Sequence, residues 1–398
     1  EIGVRLVGSE MCIRDSKEAY DKGVSVAELF PVNVTGIVSG NDGASIAPTK
    51  AELIRRMDIV KNATEEKDIF DLWGRFSRGQ TAEKIQNDVL SGGTITPISF
   101  RPFDSRWTYY SGNSCGWVLW PREKNTMGHL LAEPNCPIGA NIGLVFCKTS
   151  RSFFSPFVSQ NIIAHRLFSA MCEITYIAPL YLRSESGLTG ESWTANLNDE
   201  AFNKLTQYLS EKPEPIEIFD YVYGILHDPV YCEKYEQYLC RDFPRVPIIN
   251  TPEKERDEGE FYVSEELYRE YVSAGERLRK LHLMQIKAPA ELALEPNTPD
   301  EMEIGAIKYK NGVLQLNANK RITGISQEVW KYQIGGHQVL DKWFKEHKGE
   351  ALTIDSFTHI ENIVGALDET IRIREHLKGL HKYCLLYTSP SPRDGLLS

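Results

Sequence analysis

The sequence predicts an α+β fold in which a β-rich subdomain is flanked by helical subdomains. Segments that alternate apolar and polar residues, and that are rich in β-branched and aromatic side chains, are concentrated between residues 94 and 195. Patterns with apolar residues at helical spacing precede and follow this region. We therefore expect a mixed α/β segment (17–93), a β-rich subdomain (94–195) and a mainly helical subdomain with a small hairpin (196–383).

The two ends of the sequence resemble translated sequencing adapter. Residues 6–16 read LVGSEMCIRDS, and residues 384–394 read CLLYTSPSPRD, which corresponds to the reverse complement of the same adapter. Matches at both ends, one from each strand, indicate a foreign origin. We therefore expect residues 1–16 and 384–398 to be artefacts, exclude them from fold prediction, and expect the native reading frame to continue upstream.

The segment 17–93 is predicted to contain short mixed elements. Residues 32–38 predict a strand, and the cluster SGNDGAS at 39–45 predicts a turn. Thr49 is placed to cap a helix, with Glu52 at capping-box spacing. Further helical patterns occur at 67–76 and 81–90, and the sequence SGG then breaks the chain.

Residues 94–183 supply the predicted strands. Each candidate shows alternation or enrichment in β-branched and aromatic residues, and Gly, Pro and Asn separate the candidates from one another. The candidate strands are TITPISFRPF (94–103), RWTYYSG (106–112), GWVLWPR (116–122), NIGLVFCK (141–148), SFFSPFVSQNIIA (152–164) and EITYIAPLYL (173–182).

The C-terminal part is predicted to be mainly helical. Asn198 is positioned to cap a first helix, and a long helix is predicted from Ser264 to about Met284. Asn311–Gly312 is a typical two-residue hairpin turn. The last helices indicate a scaffold, in which we expect Trp330, Trp343 and Phe344 to lie in the core.

Composition argues against several functional classes. The formal charge of −10 gives no overall sign of a nucleic-acid-binding protein. Six of the eight cysteines lie outside the adapter-like ends, and none forms a CxxC pair. We therefore expect reduced cysteines, as is typical of a cytosolic protein, and no metal site. The sequence contains no apolar run of about 18 residues, so we expect no membrane span.

No catalytic residues are predicted. The sequence lacks the GxxxxGK[ST] phosphate loop, and SGNDGAS lacks the order GxGxxG. His227 lies near Asp220 and Asp228, but the sequence GILHDP is more typical of a helix end before Pro229. We therefore expect this chain not to catalyse a reaction by itself.

Positive charge and aromatic rings are concentrated between Arg101 and Arg166. This window has seven cations and three anions, so its formal charge is +4 within a chain of −10. Cations neutralise phosphates, arginine can read guanine edges, and rings can stack on exposed bases. The candidate DNA-binding residues are Arg101, Arg106, Trp107, Tyr109, Tyr110, Arg122, Lys124, Lys148, Arg151 and Arg166.

The same composition also suits a structural β-domain with solvated surface cations. Half of the rings on an alternating strand face the core. Arg101 and Asp104 can form an internal ion pair that fixes a turn. The window alone leaves both interpretations open.

An ordered set of phrases resembles one known family. The phrases are FPVNVTGIVSGNDG (30–43), ISFRPFDSRWTYYSG (98–112), APLYL (178–182), FDYVYGILHDPVYCEKYEQYLCRDFPRVP (219–247), LRKLHLM (278–284) and EVWKYQIGGHQVLDKWFKEHKG (328–349). Together they resemble the C-terminal target-recognition region of type ISP restriction–modification enzymes and related adenine-specific DNA methyltransferases. The resemblance covers nearly all of residues 17–383.

The resemblance implies sequence-specific recognition of double-stranded DNA in the cytoplasm of a prokaryote. In that family the same polypeptide carries a nuclease domain, an ATP-driven motor and an adenine-N6 methyltransferase. Residues 17–93 would join the upstream methyltransferase. We expect no cofactor in this chain, while the parent enzyme would use S-adenosylmethionine and, for cleavage, ATP and magnesium.

The resemblance also implies a division of labour within the basic window. A segment shared by enzymes with different targets should not read bases itself. We therefore expect Arg101, Asp104 and Trp107 to be architectural or to contact phosphate. Base readout is expected from the loops 111–124 and 148–166. The alternative is a scaffold domain of a phage-defence complex without direct base readout.

Overall fold

The fold was analysed in a computed structural model. The residues it describes are 17–122, 124–131, 136–150, 154–168, 173–186, 190–256, 260–296 and 302–385. Helix accounts for about 42% of the structure and strand for about 21%. Both are substantial and are arranged as several small sheets with separate helices, so the predicted α+β class is confirmed.

The strands are short, and the longest belong to the predicted β-rich region. They are β1 (Val24–Ser25), β2 (Val34–Thr35), β3 (Ile46–Ala47), β4 (Thr94–Arg101), β5 (Asp104–Tyr110), β6 (Gly143–Cys147), β7 (Phe157–Ser159), β8 (Ile162–Ile163), β9 (Thr175–Pro179), β10 (Tyr181–Ser186), β11 (Gly190–Ala195), β12 (Arg245–Val246), β13 (Ala293–Glu295), β14 (Lys308–Lys310), β15 (Val313–Gln315), β16 (Arg321–Thr323), β17 (Gln333–Ile334) and β18 (His337–Gln338).

Helices lie on both sides of that region in the sequence. They are α1 (Val26–Leu29), α2 (Asp42–Ser45), α3 (Lys50–Asn62), α4 (Glu66–Trp73), α5 (Ala82–Ser91), α6 (Lys124–Met127), α7 (Asp199–Thr206), α8 (Pro215–Ile225), α9 (Pro229–Leu239), α10 (Glu265–His282), α11 (Gln327–Lys331), α12 (Val339–Glu346) and α13 (Ile354–Leu385). Short 3-10 turns occur at Gly128–Leu130 and Glu253–Glu255.

Two four-stranded sheets form the centre of the β-rich region. One has the order β2-β9-β6-β7, and the other has the order β3-β5-β4-β8. All neighbouring strands in them are antiparallel except β4 and β8. Strands β2 and β3 come from the segment before residue 94, so this segment contributes an edge strand to each sheet.

A third four-stranded sheet, with the order β13-β16-β15-β14, lies in the C-terminal part of the chain. Its β14–β15 connection is the predicted hairpin. Asn311 and Gly312 have φ values of +48° and +83°, as a two-residue hairpin turn requires. The predicted hairpin is therefore confirmed.

Helix starts agree with the sequence because the caps are local features. The Thr49 hydroxyl accepts a hydrogen bond from the Glu52 amide at 3.2 Å, and the Asn198 side chain accepts one from the Ala201 amide at 3.0 Å. Ser264 likewise caps α10. Trp343 and Phe344 are buried, as predicted for core residues, whereas Trp330 is only half-buried and packs against the core.

The strand predicted at 116–122 is wrong. Residues 116–119 form a series of bends and not a strand. Only Trp120 makes a ladder contact, a single bridge to Val38. The predicted strand at 32–38 is also shorter than expected, since only β2 and isolated bridges form there.

Two glycines allow α8 and α10 to pack closely. A Cβ on Gly275 would lie 1.8 Å from the carbonyl oxygen of Asp220, and one on Gly224 would lie 2.2 Å from that of Tyr271. The Asp220 carboxylate also accepts two hydrogen bonds from the Arg279 guanidinium, at 2.6 and 2.9 Å. Backbone contact and a buried ion pair thus fix the same helix pair.

Candidate nucleic-acid interface

A cleft with a volume of about 570 Å³ lies next to the sheet that contains β4 and β5. Its walls come from parts of the chain that are distant in sequence. The charged side chains in its lining are three arginines and one aspartate, so the cleft is cationic although the whole chain is acidic. The lining comprises residues 37–43, Ile46, Arg75, Ser77, Arg101, Leu119, Trp120 and residues 164–166.

Backbone hydrogen bonds hold the cleft walls together. The Ile37 amide donates to the Ile163 carbonyl at 2.9 Å, and the His165 amide donates to the Ile37 carbonyl at 2.8 Å. On the other side, Val38 and Trp120 exchange two backbone hydrogen bonds of 2.9 and 3.0 Å. The segment 37–38 is therefore held by backbone hydrogen bonds between residues 163–165 on one side and Trp120 on the other.

Glycine is required where this segment passes the wall formed by residues 164–166. A Cβ on Gly36 would lie 2.6 Å from backbone atoms of Ala164, closer than real side chains approach. The following turn depends on Gly40, whose φ of +83° favours glycine. The cluster SGNDGAS therefore bends at Gly40, as the predicted turn requires, but its last four residues form the short helix α2.

Trp120 stands out at the rim of the cleft. Its side chain is 50% exposed, whereas the preceding three residues are buried. The Arg122 guanidinium lies 5.3 Å from the Trp120 ring centroid, within the range of a cation–π contact. The Arg122 Nε also donates to the Gly36 carbonyl at 3.2 Å, which ties this arginine to the cleft wall.

Arg75 and Arg166 present free charge to the cleft. Both side chains are exposed, and neither makes a hydrogen bond or ion pair with any side chain in the part of the protein that the structure describes. An exposed guanidinium keeps its five donors available to an anion. Among the three arginines that line the cleft, these two therefore have the most accessible guanidinium groups.

His165 contributes a neutral side chain to the same wall. Burial lowers its pKa, and the nearby Arg122 and Arg166 lower it further. Its buried Nδ1 makes no hydrogen bond within the described residues. The imidazole is therefore uncharged at neutral pH.

Arg101 is mainly architectural. It is buried, and its Nη1 donates to the carbonyls of Phe100 and Arg166 at 2.7 and 3.3 Å. Its Nε lies 3.5 Å from Glu346 Oε1 on α12. Burial lowers the pKa of Arg101, an effect that the Glu346 charge opposes. Arg101 therefore supports the cleft from below and positions the backbone of Arg166.

Arg106 is also held by internal acids. Its guanidinium lies 3.0 Å from the Asp104 carboxylate and 3.9 Å from Glu346. Asp104 is buried, so this pair is shielded from solvent on one side. Asp104 therefore pairs with Arg106 at 3.0 Å, while Arg101 turns towards Glu346.

Tyr109 and Tyr110 lie in the core, which corrects their assignment as candidate DNA contacts. Tyr109 Oη donates to the Asp88 carbonyl at 3.0 Å, and Tyr110 Oη donates to the Pro121 carbonyl at 3.4 Å. Burial raises the pKa of each hydroxyl to about 12. Neither ring has a free face for a base.

The remaining candidates do not line the cleft. Trp107 is half-buried beneath Lys50, whose Nζ lies 5.4 Å from the ring centroid. Lys148 is exposed but lies 3.7 Å from the Asp242 carboxylate. The side chain of Lys124 and all of Arg151 fall outside the described residues.

A family model for the type ISP C-terminal specificity domain matches residues 28–376. The chain belongs to this family. The match covers most of the sequence and includes every part of the cleft lining.

Solved structures share the fold of this specificity domain. The DNA-bound ATP-dependent type ISP restriction–modification enzyme LlaBIII gives a TM-score of 0.66 at 15% identity, covering 90% of this chain and 24% of that chain. A DrdV–DNA complex gives 0.60 at 20% identity, covering 87% and 36%. A nuclease-deletion mutant of the type ISP enzyme LlaGI with a DNA substrate mimic gives 0.62 at 15% identity, covering 90% and 29%.

The specificity domain spans only about a quarter to a third of the length of these solved chains. Comparison with curated protein sequences gives no match. Within the described residues, no helix is both long and apolar enough to cross a membrane. Across the same ranges, no group of three His, Cys, Asp or Glu side chains is arranged to hold a metal ion.

Sequence reasoning missed part of the cleft of this specificity domain. Arg75 and the loop 37–43 precede the basic window, and Trp120 was counted in the window but not chosen as a contact. The phrase FPVNVTGIVSGNDG pointed to the loop, because it is one of the segments that carries the family resemblance. Only tertiary contacts bring it next to Arg166.

Proposed function

We propose that this chain recognises a specific sequence in double-stranded DNA as the specificity domain of a type ISP restriction–modification enzyme. The observation that carries the proposal is the cationic cleft, in which Trp120 is exposed and the exposed guanidinium groups of Arg75 and Arg166 have no hydrogen-bond or ion-pair partner among the described residues. It occurs in a chain that belongs to the specificity-domain family. Two of the similar solved structures, LlaBIII and DrdV, are bound to DNA, which supports the same ligand class.

Phosphate contacts would set the position of the duplex. Arg75 and Arg166 lie on different walls of the cleft and carry like charge, so they suit successive phosphates of a DNA backbone. Each neutralised phosphate releases bound counterions, which makes affinity depend on salt. The loop residues between the two arginines would then face the base edges.

The chemistry would be carried out by other parts of the parent polypeptide. An upstream methyltransferase domain would bind S-adenosylmethionine and modify adenine N6 after the base leaves the stack. A motor and nuclease would use ATP and magnesium. This chain would hold the duplex against the methyltransferase, in the cytoplasm of a prokaryote, as part of defence against phage.

Salt-dependent binding tests the assignment of the cleft. The test variant is Arg75→Ala/Arg166→Ala, and the control is Arg269→Ala/Arg372→Ala, which removes two exposed arginines from the helical part. Fluorescence anisotropy with duplex DNA is measured over a range of salt concentrations. We expect the test variant to lose about tenfold or more in affinity. The slope of log binding constant against log salt concentration should become shallower by about 2, because each phosphate contact contributes about 0.9 to it.

The control variant should keep the slope of the unmodified chain. If both variants behave alike, the charge effect is general and the cleft is not the binding surface. If the unmodified chain binds no duplex at all, the proposed function is overturned.

A structural coupling function is the second candidate. It is favoured by the charge of −10 and by the 32-residue helix α13, which suit a scaffold between domains. A chimera of the full-length enzyme separates the two functions, with residues 94–183 replaced by the segment of a relative. Recognition by this region predicts a changed methylated sequence, whereas a scaffold predicts the original one.

A further inference from the structure

We propose that Trp120, braced by Arg122, is a specificity-determining residue that contacts the face of a base in the bound duplex. This inference rests on the proposed function, since it assumes that DNA occupies the cleft. It goes further because it names the exposed side chain, Trp120, and the part of the DNA that this side chain contacts, the face of a base. Trp120 lies in the loop 111–124, from which base readout was expected, but it was not among the candidate DNA-binding residues.

The exposure of Trp120 is built into the backbone. The two hydrogen bonds between Trp120 and Val38 fix its position, and the Leu119 amide also donates to the Val38 carbonyl at 2.9 Å. The neighbouring Trp117 is completely buried and donates through Nε1 to the Ser45 carbonyl at 2.8 Å. Trp117 therefore anchors the loop in the core, while Trp120 is held exposed to solvent.

Asp88 adds a second anchor to the same loop. Its carboxylate accepts a hydrogen bond from the Trp117 amide at 2.8 Å and another from the Asn113 side chain at 2.8 Å. Gly116 is needed beside it, because a Cβ there would lie 2.3 Å from the carboxylate. A ring presented by so constrained a loop loses little freedom when it binds.

Arg122 occupies an unusual backbone conformation next to this ring. Its φ of +66° is uncommon for a residue other than glycine and persists only where surrounding contacts favour it. Here the Gly36 carbonyl and the Trp120 ring hold its guanidinium. The result is a cation and an aromatic ring presented side by side, which matches a phosphate and a base of one nucleotide.

The surrounding charge favours DNA over a protein partner. The cleft beside the ring contains Arg75 and Arg166, and its single acid is Asp42. The Asp42 carboxylate already accepts a hydrogen bond from the Ser39 hydroxyl. An anionic polymer with flat apolar groups therefore complements this rim. To contact the face of a base, the Trp120 ring must insert at a base-pair step whose bases are partly unstacked.

The test compares Trp120→Ala and Trp120→Phe in the full chain. Trp330→Phe is the control, because Trp330 is half-buried and stacks on Tyr309 with centroids 4.5 Å apart, away from the cleft. The unmodified chain first selects duplexes from a pool with a randomised centre. Affinity is then measured for the enriched duplex and for a scrambled duplex of the same composition.

We expect Trp120→Ala to reduce the preference for the enriched duplex about tenfold, because base stacking on an aromatic ring is lost. Its salt slope should stay unchanged, since no phosphate contact is removed. Trp120→Phe should keep part of the preference. The fluorescence of 2-aminopurine placed along the enriched duplex should rise at one step on binding, and this rise should disappear in Trp120→Ala.

The outcomes separate the inference from the function on which it rests. Binding of the enriched duplex with full preference and an unchanged 2-aminopurine signal in Trp120→Ala would overturn the role of Trp120 alone, and would favour a protein surface as its contact. Failure of the unmodified chain to select or bind any duplex would overturn the proposed function and this inference together. Circular dichroism of each variant is the check that it folds like the unmodified chain.

Discussion

Tyr109 lies in the core, and its hydroxyl donates to the Asp88 carbonyl at 3.0 Å. We expect Tyr109→Phe to lower the free energy of unfolding by about 1 kcal/mol, because a buried hydrogen bond is lost. DNA affinity and its salt dependence should not change, since the ring does not reach the surface. Urea unfolding and fluorescence anisotropy measure the two effects.

Arg166→Ala provides the opposite pattern for comparison. Its exposed guanidinium makes no hydrogen bond or ion pair within the described part of the chain, so stability should stay within about 0.5 kcal/mol while DNA affinity falls. A Tyr109→Phe variant that keeps its stability but loses DNA binding would contradict the division between core and cleft.

The role of a single residue was predictable from the sequence only where its surroundings are local. The sequence left open an ion pair between Arg101 and Asp104, but Asp104 pairs with Arg106, two residues away, and Arg101 faces the distant Glu346 on α12. It did not show that Tyr109 and Tyr110 are buried side by side. Strand alternation would expose one of them, but contacts from other elements cover both faces at this end of β5.

At the scale of elements, the turn between β4 and β5 is docked onto the C-terminal helices. Glu346 on α12 lies near the guanidinium groups of Arg101 and Arg106, and His359 Nε2 lies 2.7 Å from the Phe103 carbonyl oxygen. Phe103 has a φ of +61°, so the turn is held in an uncommon conformation. The stretch RPFDSR is therefore built to contact the scaffold.

Removing the charge of Glu346 tests this junction. We expect Glu346→Gln to lower the free energy of unfolding by about 1–3 kcal/mol, because two largely buried arginines lose a charged partner. The matched control is Asp341→Asn on the same helix, which removes an exposed pair with Lys345 and should cost less than about 0.5 kcal/mol. Equal effects in thermal or urea unfolding would show that the junction is not a stabilising contact.

Elements were predictable where their signals are short-range. Thr49 and Asn198 mark helix starts because a side-chain cap needs only the next three residues. The segment 116–122 was misassigned because its run of aromatic and apolar residues resembles a strand. Its actual partners are Asp88, Ser45 and Val38. Because these residues are distant in sequence, the local pattern does not predict the contacts.

At the scale of the whole molecule, His282 on α10 joins the β-rich and helical parts. Its ring lies 5.7 Å from the Phe103 ring and 5.5 Å from the Phe157 ring. On the helical side, its Nε2 lies 2.9 Å from the Thr370 hydroxyl, and its Nδ1 is hydrogen-bonded to Tyr223. A single buried imidazole thus contacts both parts of the fold.

The same burial makes stability depend on pH. Burial lowers the pKa of His282 to about 3, whereas an unfolded histidine titrates near 6.5. Between these values the unfolded chain binds the additional proton, so the free energy of unfolding decreases as pH falls. His337 acts in the same direction, since burial lowers its pKa to about 4, with Arg101 lowering it further.

We therefore expect urea unfolding of the unmodified chain to show a steady loss of stability from about pH 6.5 to pH 4. Each buried histidine contributes at most about 1.4 kcal/mol per pH unit in this window. His282→Gln, and separately His337→Gln, should be less stable at pH 7 but should lose less stability on acidification. His376→Gln is the control because His376 is exposed, and it should retain the pH dependence of the unmodified chain. A pH dependence that is identical in all four proteins would mean that neither His282 nor His337 controls acid unfolding.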